Sequence, residues 1–441
     1  MARSLNLENV STRLQRIAQL AQENRDRVLV SLAHAIDVDF LREAYGRTRK
    51  DGAPGVDGQT AGSYEMALEE NLQSLLSRFK SGNYKAPPVR RVYIPKGNDP
   101  TKKRPIGVPT FEDKVLQRAV AMVLEAVYEQ DFLDCSYGCR PGRSAHQAIR
   151  DLRKGLMSMG GGWVLDADIE GYYDNLDHGH LRSFLDQRVR DGVLRRAVDK
   201  WLKAGVMEEG NLSHPITGTP QGGVISPLLS NIYLHEVLDV WFETAVKPRL
   251  HGEAFLIRFV DDFVLVFQLE SDARRVLEVL PKRFGRYGLR LHPDKTSLVR
   301  FKPPRSEGES RQDHEKPRSF DFLGFTHHWE KSRWGRWMVK RKTAPNRVTR
   351  ALRRINLWCQ DHRHAPIPWQ HAKLERKLRG HDEYYGISGN SKALSSLRHW
   401  VKRIWRKWLS RRSRTSRVNW VRFNLLLKRY PLPNPKICHV V

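Results

Sequence analysis

Cysteine is scarce in this 441-residue sequence: there are four, Cys135, Cys139, Cys359 and Cys438, and they do not form two close pairs. That excludes the disulfide framework of a small secreted domain. Cys135 and Cys139, with His146 nearby, could open a zinc site, but no second pair follows, and small half-buried residues are the preferred reading. Long apolar runs are missing too. No stretch nears the roughly 18 unbroken apolar residues of a membrane-spanning helix, so no membrane partner is expected. The first 37 residues carry Glu8, Glu23, Asp26 and Asp37, which argues against a secretory signal or an acid-poor transit peptide. The expectation is a soluble, intracellular chain. With 40% apolar residues it is globular, and it is long enough for two or three packed units.

Acidic residues are short in one region only. Residues 331–441 hold 29 Lys and Arg against Asp361, Glu375, Asp382 and Glu383, a net charge of +25 out of +28 for the whole chain. The remaining 330 residues are nearly balanced. A field so concentrated repels itself unless a polyanion partner neutralises it. Eight of the twelve Trp also lie in this segment. Beside Arg and Lys they can stack on bases or pack a core, and core is the preferred role for each one.

Apolar spacing at Leu14, Ile17, Leu20 and Ala21 predicts helix within residues 1–45. A Gly-rich loop follows at 50–62, then a helix over 65–80, extended segments at 89–95 and 104–109 around a polar turn, and a buried helix over 111–130. Trp163–Ile169 reads as a strand, 179–206 and 226–246 as helices, 254–268 as a β-hairpin and 272–287 as a helix. Residues 301–317 read as a polar insertion, and beyond Trp337 the chain turns to basic helices. No internal repeat is found. The expected divisions are 1–85, an N-terminal helical extension with its Gly-rich loop; 86–335, an antiparallel sheet with helices; and 336–441, a basic helical domain. The fold class is α+β.

Three elements can do chemistry. In the hairpin, Asp261-Asp262 is a poor two-residue turn for stability, because such turns favour Asn-Gly or Asp-Gly. Adjacent carboxylates there repel each other unless a cation intervenes, and a divalent metal is the natural one. The bland alternative is an exposed turn. The second element is Asp168, at the end of a strand, with Asp166 on the same face as a rival; Asp168 is preferred because it lies nearer the strand end. Two Mg²⁺ ions between such carboxylates would stabilise both the attacking and leaving oxygens of a phosphoryl transfer. The third is Gly218–Pro227, whose glycines allow close backbone approach before a helix whose first amides can face a nucleotide.

Taken together, these residues resemble a reverse transcriptase encoded by a group II intron. Asp168-Ile-Glu-Gly-Tyr-Tyr-Asp174, Thr219-Pro-Gln-Gly-Gly-Val-Ile-Ser-Pro227 and Phe259-Val-Asp-Asp262 are similar to the first three palm motifs. Leu291-His-Pro-Asp-Lys-Thr296 resembles the fourth, and Phe322-Leu323-Gly324-Phe325 the primer grip. Val92–Lys96 with Lys103–Gly107 resembles the fingers, Ser136–Ser144 a further family block, and Asp51–Gly58 the N-terminal extension. The resemblance implies a right-hand polymerase with fingers, palm and a helical thumb and maturase domain. It implies Asp168, Asp261 and Asp262 as catalytic metal ligands for two Mg²⁺ ions, with Mn²⁺ a possible substitute. Arg90, Lys96 and Arg104 would meet the triphosphate, with Ile169, Tyr173 and Gln221 lining the nucleotide site; Tyr173 would exclude a 2′-hydroxyl. Lys295 is a proton donor to pyrophosphate or, on its chemistry alone, equally a solvated lysine. Nucleic acid would be held by Arg140, Arg143, Lys402, Arg403, Arg406, Lys407, Arg411 and Arg412. The face Trp400, Ile404 and Trp408 is expected in the core.

The implied partners are group II intron RNA, an RNA template with a DNA primer or target, and dNTPs, in a bacterial cytoplasm close to the nucleoid. The implied function is RNA-directed DNA synthesis with splicing and intron mobility. Two departures are visible. Phe259-Val260 stands where the family usually has Tyr-Ala, which bears on fidelity. No Cys-pair and His nuclease motif follows the basic segment, as in compact class C proteins, so second-strand cleavage is not expected and priming from an existing DNA end is. A maturase with a dead polymerase, and a polymerase domesticated for repair or phage defence, stay open at this point.

The concentration of charge makes one prediction. Affinity for intron RNA should fall steeply and log-linearly with salt, by about 10³-fold or more between 50 and 200 mM if six or more phosphates are contacted. A flat response in a filter-binding titration would show that residues 331–441 do not read phosphate.

Overall fold

Why the buried stretch 111–130 is a helix is plain at its start. The Thr110 side chain accepts from the backbone N–H of Asp113, and thirteen of the eighteen residues that follow are buried. In the computed structural model the described residues are 2–95, 103–208, 211–213, 217–218, 222–304, 318–413 and 417–440, with backbone alone for 2–9. Their α-helices are α1 (Ala2–Glu23), α2 (Val38–Arg47), α3 (Ala61–Glu65), α4 (Leu68–Ser81), α5 (Phe111–Tyr128), α6 (Ala145–Ser158), α7 (His178–Arg188), α8 (Gly192–Lys203), α9 (Ser226–Leu234), α10 (Glu270–Gly285), α11 (Pro345–Asp361), α12 (Ile367–Tyr385), α13 (Ser391–Leu409) and α14 (Trp420–Arg429). The strands are β1 (Val89–Pro95), β2 (Lys103–Val108), β3 (Gly162–Asp168), β4 (Val206–Glu208), β5 (Asn211–Ser213), β6 (Ala254–Phe259), β7 (Asp262–Phe267), β8 (Ser297–Phe301), β9 (Phe320–Phe322), β10 (Phe325–Lys331) and β11 (Trp337–Thr343). The α+β class is as expected. Among the described residues no helix is long and apolar enough to cross a membrane.

Contacts divide the chain into two units: 1–144 with 167–297, and 145–166 with 298–441. In the first, α1 and α2 pack on α5. A four-stranded sheet runs β2-β1-β4-β5, antiparallel except where β1 meets β4. The hairpin β6–β7 pairs from Ala254↔Phe267 to Phe259↔Asp262. The expected helix over 65–80 is α4, preceded by the short α3 within the stretch read as a Gly-rich loop and its exit, and α9 continues through wider π-type turns to Val246.

In the second unit β11-β10-β9 form an antiparallel sheet, and α11–α14 enclose a core of Ile355, Leu374, Leu378, Leu397, Val401, Trp405, Leu409 and Phe423. The expected face of α13 is corrected here. Trp405, fully buried, is its core tryptophan and donates through Nε1 to Gln370 Oε1 at 2.9 Å. Trp400 is 47% exposed, and Ile404 and Trp408 only flank the core. Leu397, Val401, Trp405 and Leu409 recur at helical spacing as well as the expected set does. With so many tryptophans on one helix, periodicity alone could not choose the face.

One carboxylate ties the N-terminal segment to α8. Asp191 Oδ2 accepts from the backbone N–H of Leu32 (2.7 Å) and Ala33 (2.8 Å), while Oδ1 caps α8 at Val193 (2.9 Å) and Leu194 (3.0 Å). Burial pushes this carboxyl up, but the four N–H donors outweigh it and hold the group below its ordinary value. A depressed carboxylate stabilises the fold above its unfolded pKa, near 4, and that stability disappears as pH falls through the lower folded value. Asp191→Ala removes a cap and orphans two buried donors, so it should cost about 2–4 kcal/mol in urea unfolding at neutral pH. The difference from the parent should shrink in acid. A difference that stays constant down to acid would show that the carboxylate charge plays no part.

Candidate active site

The β6–β7 hairpin supplies the first part of the site. Because Phe259 pairs with Asp262, the two-residue connection is Val260–Asp261, and Asp262 already stands in β7. The expected turn, Asp261–Asp262, is thus off by one residue. Every residue of β7 after Asp262 is buried, so no alternation in sequence marks where the strand begins. The left-handed position falls on Val260, with φ +60°, a conformation that a β-branched residue rarely takes.

The end of β3 brings in Asp168. Its carbonyl accepts from His292 N at 2.8 Å, Ile169 pairs with Leu291, and Glu170 N donates to Arg290 O at 2.9 Å. The short turn Pro293–Lys295 then delivers the Lys295 ammonium onto Asp168 Oδ2. Lys295 is therefore ion-paired and not simply solvated, with half of its side chain exposed.

Burial raises the Asp261 carboxyl above its ordinary value, and the negative charge of Asp168 adds to this, while Arg104 and Lys295 oppose it. Tyr173 is pushed up to about 12 by burial and then by Asp261. Asp168, Asp261, Tyr173, Lys295 and the exposed Arg104 thus share one electrostatic neighbourhood. Among the described residues no three carboxylate, imidazole or thiolate groups form a ready cage. The donor chemistry fits a divalent cation nonetheless: two carboxylates, one feeling the other, with a lysine already drawn onto one of them.

Other expected residues are placed differently. Arg90 gives Nε and Nη2 to the carbonyl of Pro54, at 3.1 and 2.8 Å, and so ties the Gly-rich loop to β1. The side chain of Ile169 is buried and serves packing. Lys96 and Gln221 lie outside the described residues. Arg140 is corrected: only 4% of its side chain is exposed, and it binds Glu129 and the carbonyls of Leu133 and Ser136, out of reach of nucleic acid. A basic residue inside a loop motif reads as exposed in sequence, and nothing local shows that its partners are inside. Arg143 pairs with Asp134. Cys135 and Cys139 are free thiols, and His146, in the other unit, bonds the Tyr384 carbonyl and stacks on His439.

In the second unit, Phe322 and Phe325 are buried, and Leu323–Gly324 make the turn between β9 and β10, with Tyr384 Oη donating to Leu323 O at 2.9 Å. Lys402, Arg403 and Lys407 on α13, and Arg411 just after it, are exposed, three of them over Trp400 or Trp408. Arg406 instead covers Trp420 and bonds the carbonyl of Val418, and Arg412 bonds that of Ala365.

Sequence reasoning missed the support of the loop before α9. Gln117 Oε1 accepts from Val224 N (2.8 Å) and Ile225 N (3.3 Å), and its Nε2 donates to Asp113 Oδ2 (2.9 Å). Asp113 also receives Trp201 Nε1 (2.6 Å) and Tyr84 Oη, and burial pushes it up to about 6. The available signal was an acid and an amide four residues apart, Asp113 and Gln117, on the same face of a largely buried helix. Gly222, with φ +116°, lies so close to β2 that a Cβ would come within 2.6 Å of Gly107 O.

Comparison with known proteins places these residues in a family. Residues 94–327 match the family described as reverse transcriptase (RNA-dependent DNA polymerase), and residues 348–425 match the group II intron, maturase-specific domain. The group II intron-encoded protein LtrA of Lactococcus lactis subsp. cremoris is 38% identical over 285 residues, which are 61% of this chain and 46% of that protein. Protein YkfC of Escherichia coli K12 is 37% identical over 281 residues, 56% of this chain and 72% of its own length. Nuclear intron maturase 2, mitochondrial, of Arabidopsis thaliana is 28% identical over 237 residues, 42% of this chain and 32% of its own. The chain therefore spans about half the length of LtrA and most of that of YkfC. With the carboxylates of β3 and the β6–β7 turn inside the first matched segment, the chain belongs to the reverse transcriptase family and carries a group II intron maturase-specific domain.

Proposed function

We propose that the protein copies RNA into DNA by two-metal nucleotidyl transfer and binds group II intron RNA as a splicing maturase, so supporting intron mobility. The observation that carries this reading is the meeting of Asp168 and Asp261, from distant segments, with Lys295 and Arg104 beside them. In this reading 86–335 are fingers and palm and 336–441 the thumb and maturase domain. Magnesium held by Asp168, Asp261 and Asp262 would supply the positive charge that stabilises the entering and leaving oxygens. Arg104 meets the triphosphate, Tyr173 sits under the sugar and excludes a 2′-hydroxyl, and Lys295 passes a proton to the departing pyrophosphate. Exposed Lys402, Arg403, Lys407 and Arg411 hold RNA phosphates. The partners are intron RNA, a primed RNA template and dNTPs, and the place of action is the bacterial cytoplasm near its DNA.

Asp261→Ala should lower cDNA synthesis on a primed RNA template by at least ~10²-fold, the scale of losing one charge contact to the transition state. Intron RNA binding in a gel-shift should stay close to that of the parent; equal loss of both would make the carboxylate structural. Lys295→Ala should reduce the single-turnover rate by about 10²-fold, and Lys295→Arg should keep part of it. A rate within twofold of the parent for Lys295→Ala would remove it from the chemistry.

A further inference from the structure

Arg258 lies on β6, three residues before Asp261, and is completely buried, as is its partner Asp239. Its Nε donates to Asp239 Oδ1 at 2.7 Å, and Nη2 to Asp239 Oδ2 at 2.6 Å and to Ser136 Oγ at 2.8 Å. Nη1 donates to Asn231 Oδ1 at 2.9 Å and to the carbonyl of Val260 at 3.0 Å. A guanidinium has five N–H groups, and five acceptors take them. Asn231 carries the network on, donating through Nδ2 to the Gly138 carbonyl at 2.7 Å. Gly138 in turn lies so tightly under the hairpin turn that a Cβ there would come within 2.5 Å of both Val260 N and Val260 Cγ2. The backbone of Arg258 is pinned as well, its N–H to Cys135 O at 2.7 Å and its carbonyl by Tyr137 N at 2.9 Å.

Three blocks of sequence therefore meet at one side chain: the Ser136–Ser144 motif, helix α9 that follows the Thr219–Pro227 motif, and the Phe259–Asp262 motif itself. Burying an ion pair is seldom the most stable way to fill a core, since apolar residues of similar volume often do as well or better. This one grips the single carbonyl that belongs to the Val260–Asp261 peptide, next to the left-handed Val260.

We infer that Arg258 is a positioning residue for polymerisation: by holding the Val260 carbonyl from inside, it fixes the peptide that presents Asp261 toward the ion shared with Asp168. The inference rests on the proposed reading of Asp261 as a metal ligand. Arg258 touches neither substrate nor metal. It acts through the turn, and the Ser136–Gly138 segment is the wall against which the turn is pressed.

Two variants test it. Arg258→Lys keeps a charge on Asp239 but cannot fork to five acceptors. The pair Arg258→Met with Asp239→Leu removes the buried charges together, so that neither is left unpaired, and should fold cooperatively, melting below the parent by what the orphaned Asn231 and Val260 acceptors cost. Both should lower kcat for primer extension with Mg²⁺ by on the order of 10²-fold, with the KM for dNTP changed less than about threefold. Mn²⁺ bound to the protein alone, followed by electron paramagnetic resonance, should weaken by about 10-fold or more. Amide hydrogen exchange over 259–263 should accelerate. If the double variant folds cooperatively, binds Mn²⁺ like the parent and extends primers at the parent kcat, the inference is overturned. If neither variant folds, Arg258 is a stability residue and the inference is equally overturned. Asp261→Asn separates the two readings: undiminished synthesis in that variant would remove the metal site itself, whatever Arg258 does.

Discussion

Two carboxylates held close enough to disturb each other are the constraint to which the rest of the first unit answers. Asp168 comes from the end of β3 and Asp261 from the connection of a hairpin about ninety residues later, and their repulsion adds to the burial that already raises Asp261. Left to local preference, a turn with a left-handed valine and a half-buried acid would relax. It is held from several sides. The His292–Asp168 backbone bond brings Lys295 to one acid, and Gly138 and the Arg258 carbonyl grip close the turn from below. The loop before α9 is held in its turn by Gln117 and Asp113.

Features carried by repeated, local signals were legible in sequence. The apolar runs flanking Asp261 and Asp262 marked a hairpin, the strand ending at Asp168 was found within a residue, and most helix positions followed from apolar spacing. Errors arose where the deciding partner is distant or the pattern has no phase. A fully buried β7 cannot say whether its turn is 260–261 or 261–262. Helix α13 has several tryptophans at compatible spacing, so Trp405 and Trp400 exchanged roles.

Arg140 shows the same limit from another side. Its partners Glu129 and Leu133 are near in sequence, but their burial is decided by packing that no local pattern reports. Arg258 is harder still. In sequence it is one basic residue in an apolar strand, and only the arrival of Asp239, Asn231 and Ser136 reveals a saturated guanidinium. The family resemblance named the acids of the site, while Arg258, Asp239 and Gln117, which brace the turn and the loop before α9, lie outside every motif.

The chain also passes between its two units three times, at 144/145, 166/167 and 297/298. Neither unit is a continuous piece of polypeptide. During synthesis the segment 145–166 leaves the ribosome well before 298–441, the remainder of its unit, and at roughly 5–20 residues per second it waits about 7–26 s for residue 298 to appear. In that interval α6, whose Ala148, Ile149, Leu152 and Leu156 are buried in the finished protein, lacks the rest of its own unit. Its apolar face is then open to aggregation or to a chaperone. Slow or paused translation between 166 and 298 lengthens this exposure, so yield on expression depends on elongation speed as well as on the final stability of the fold.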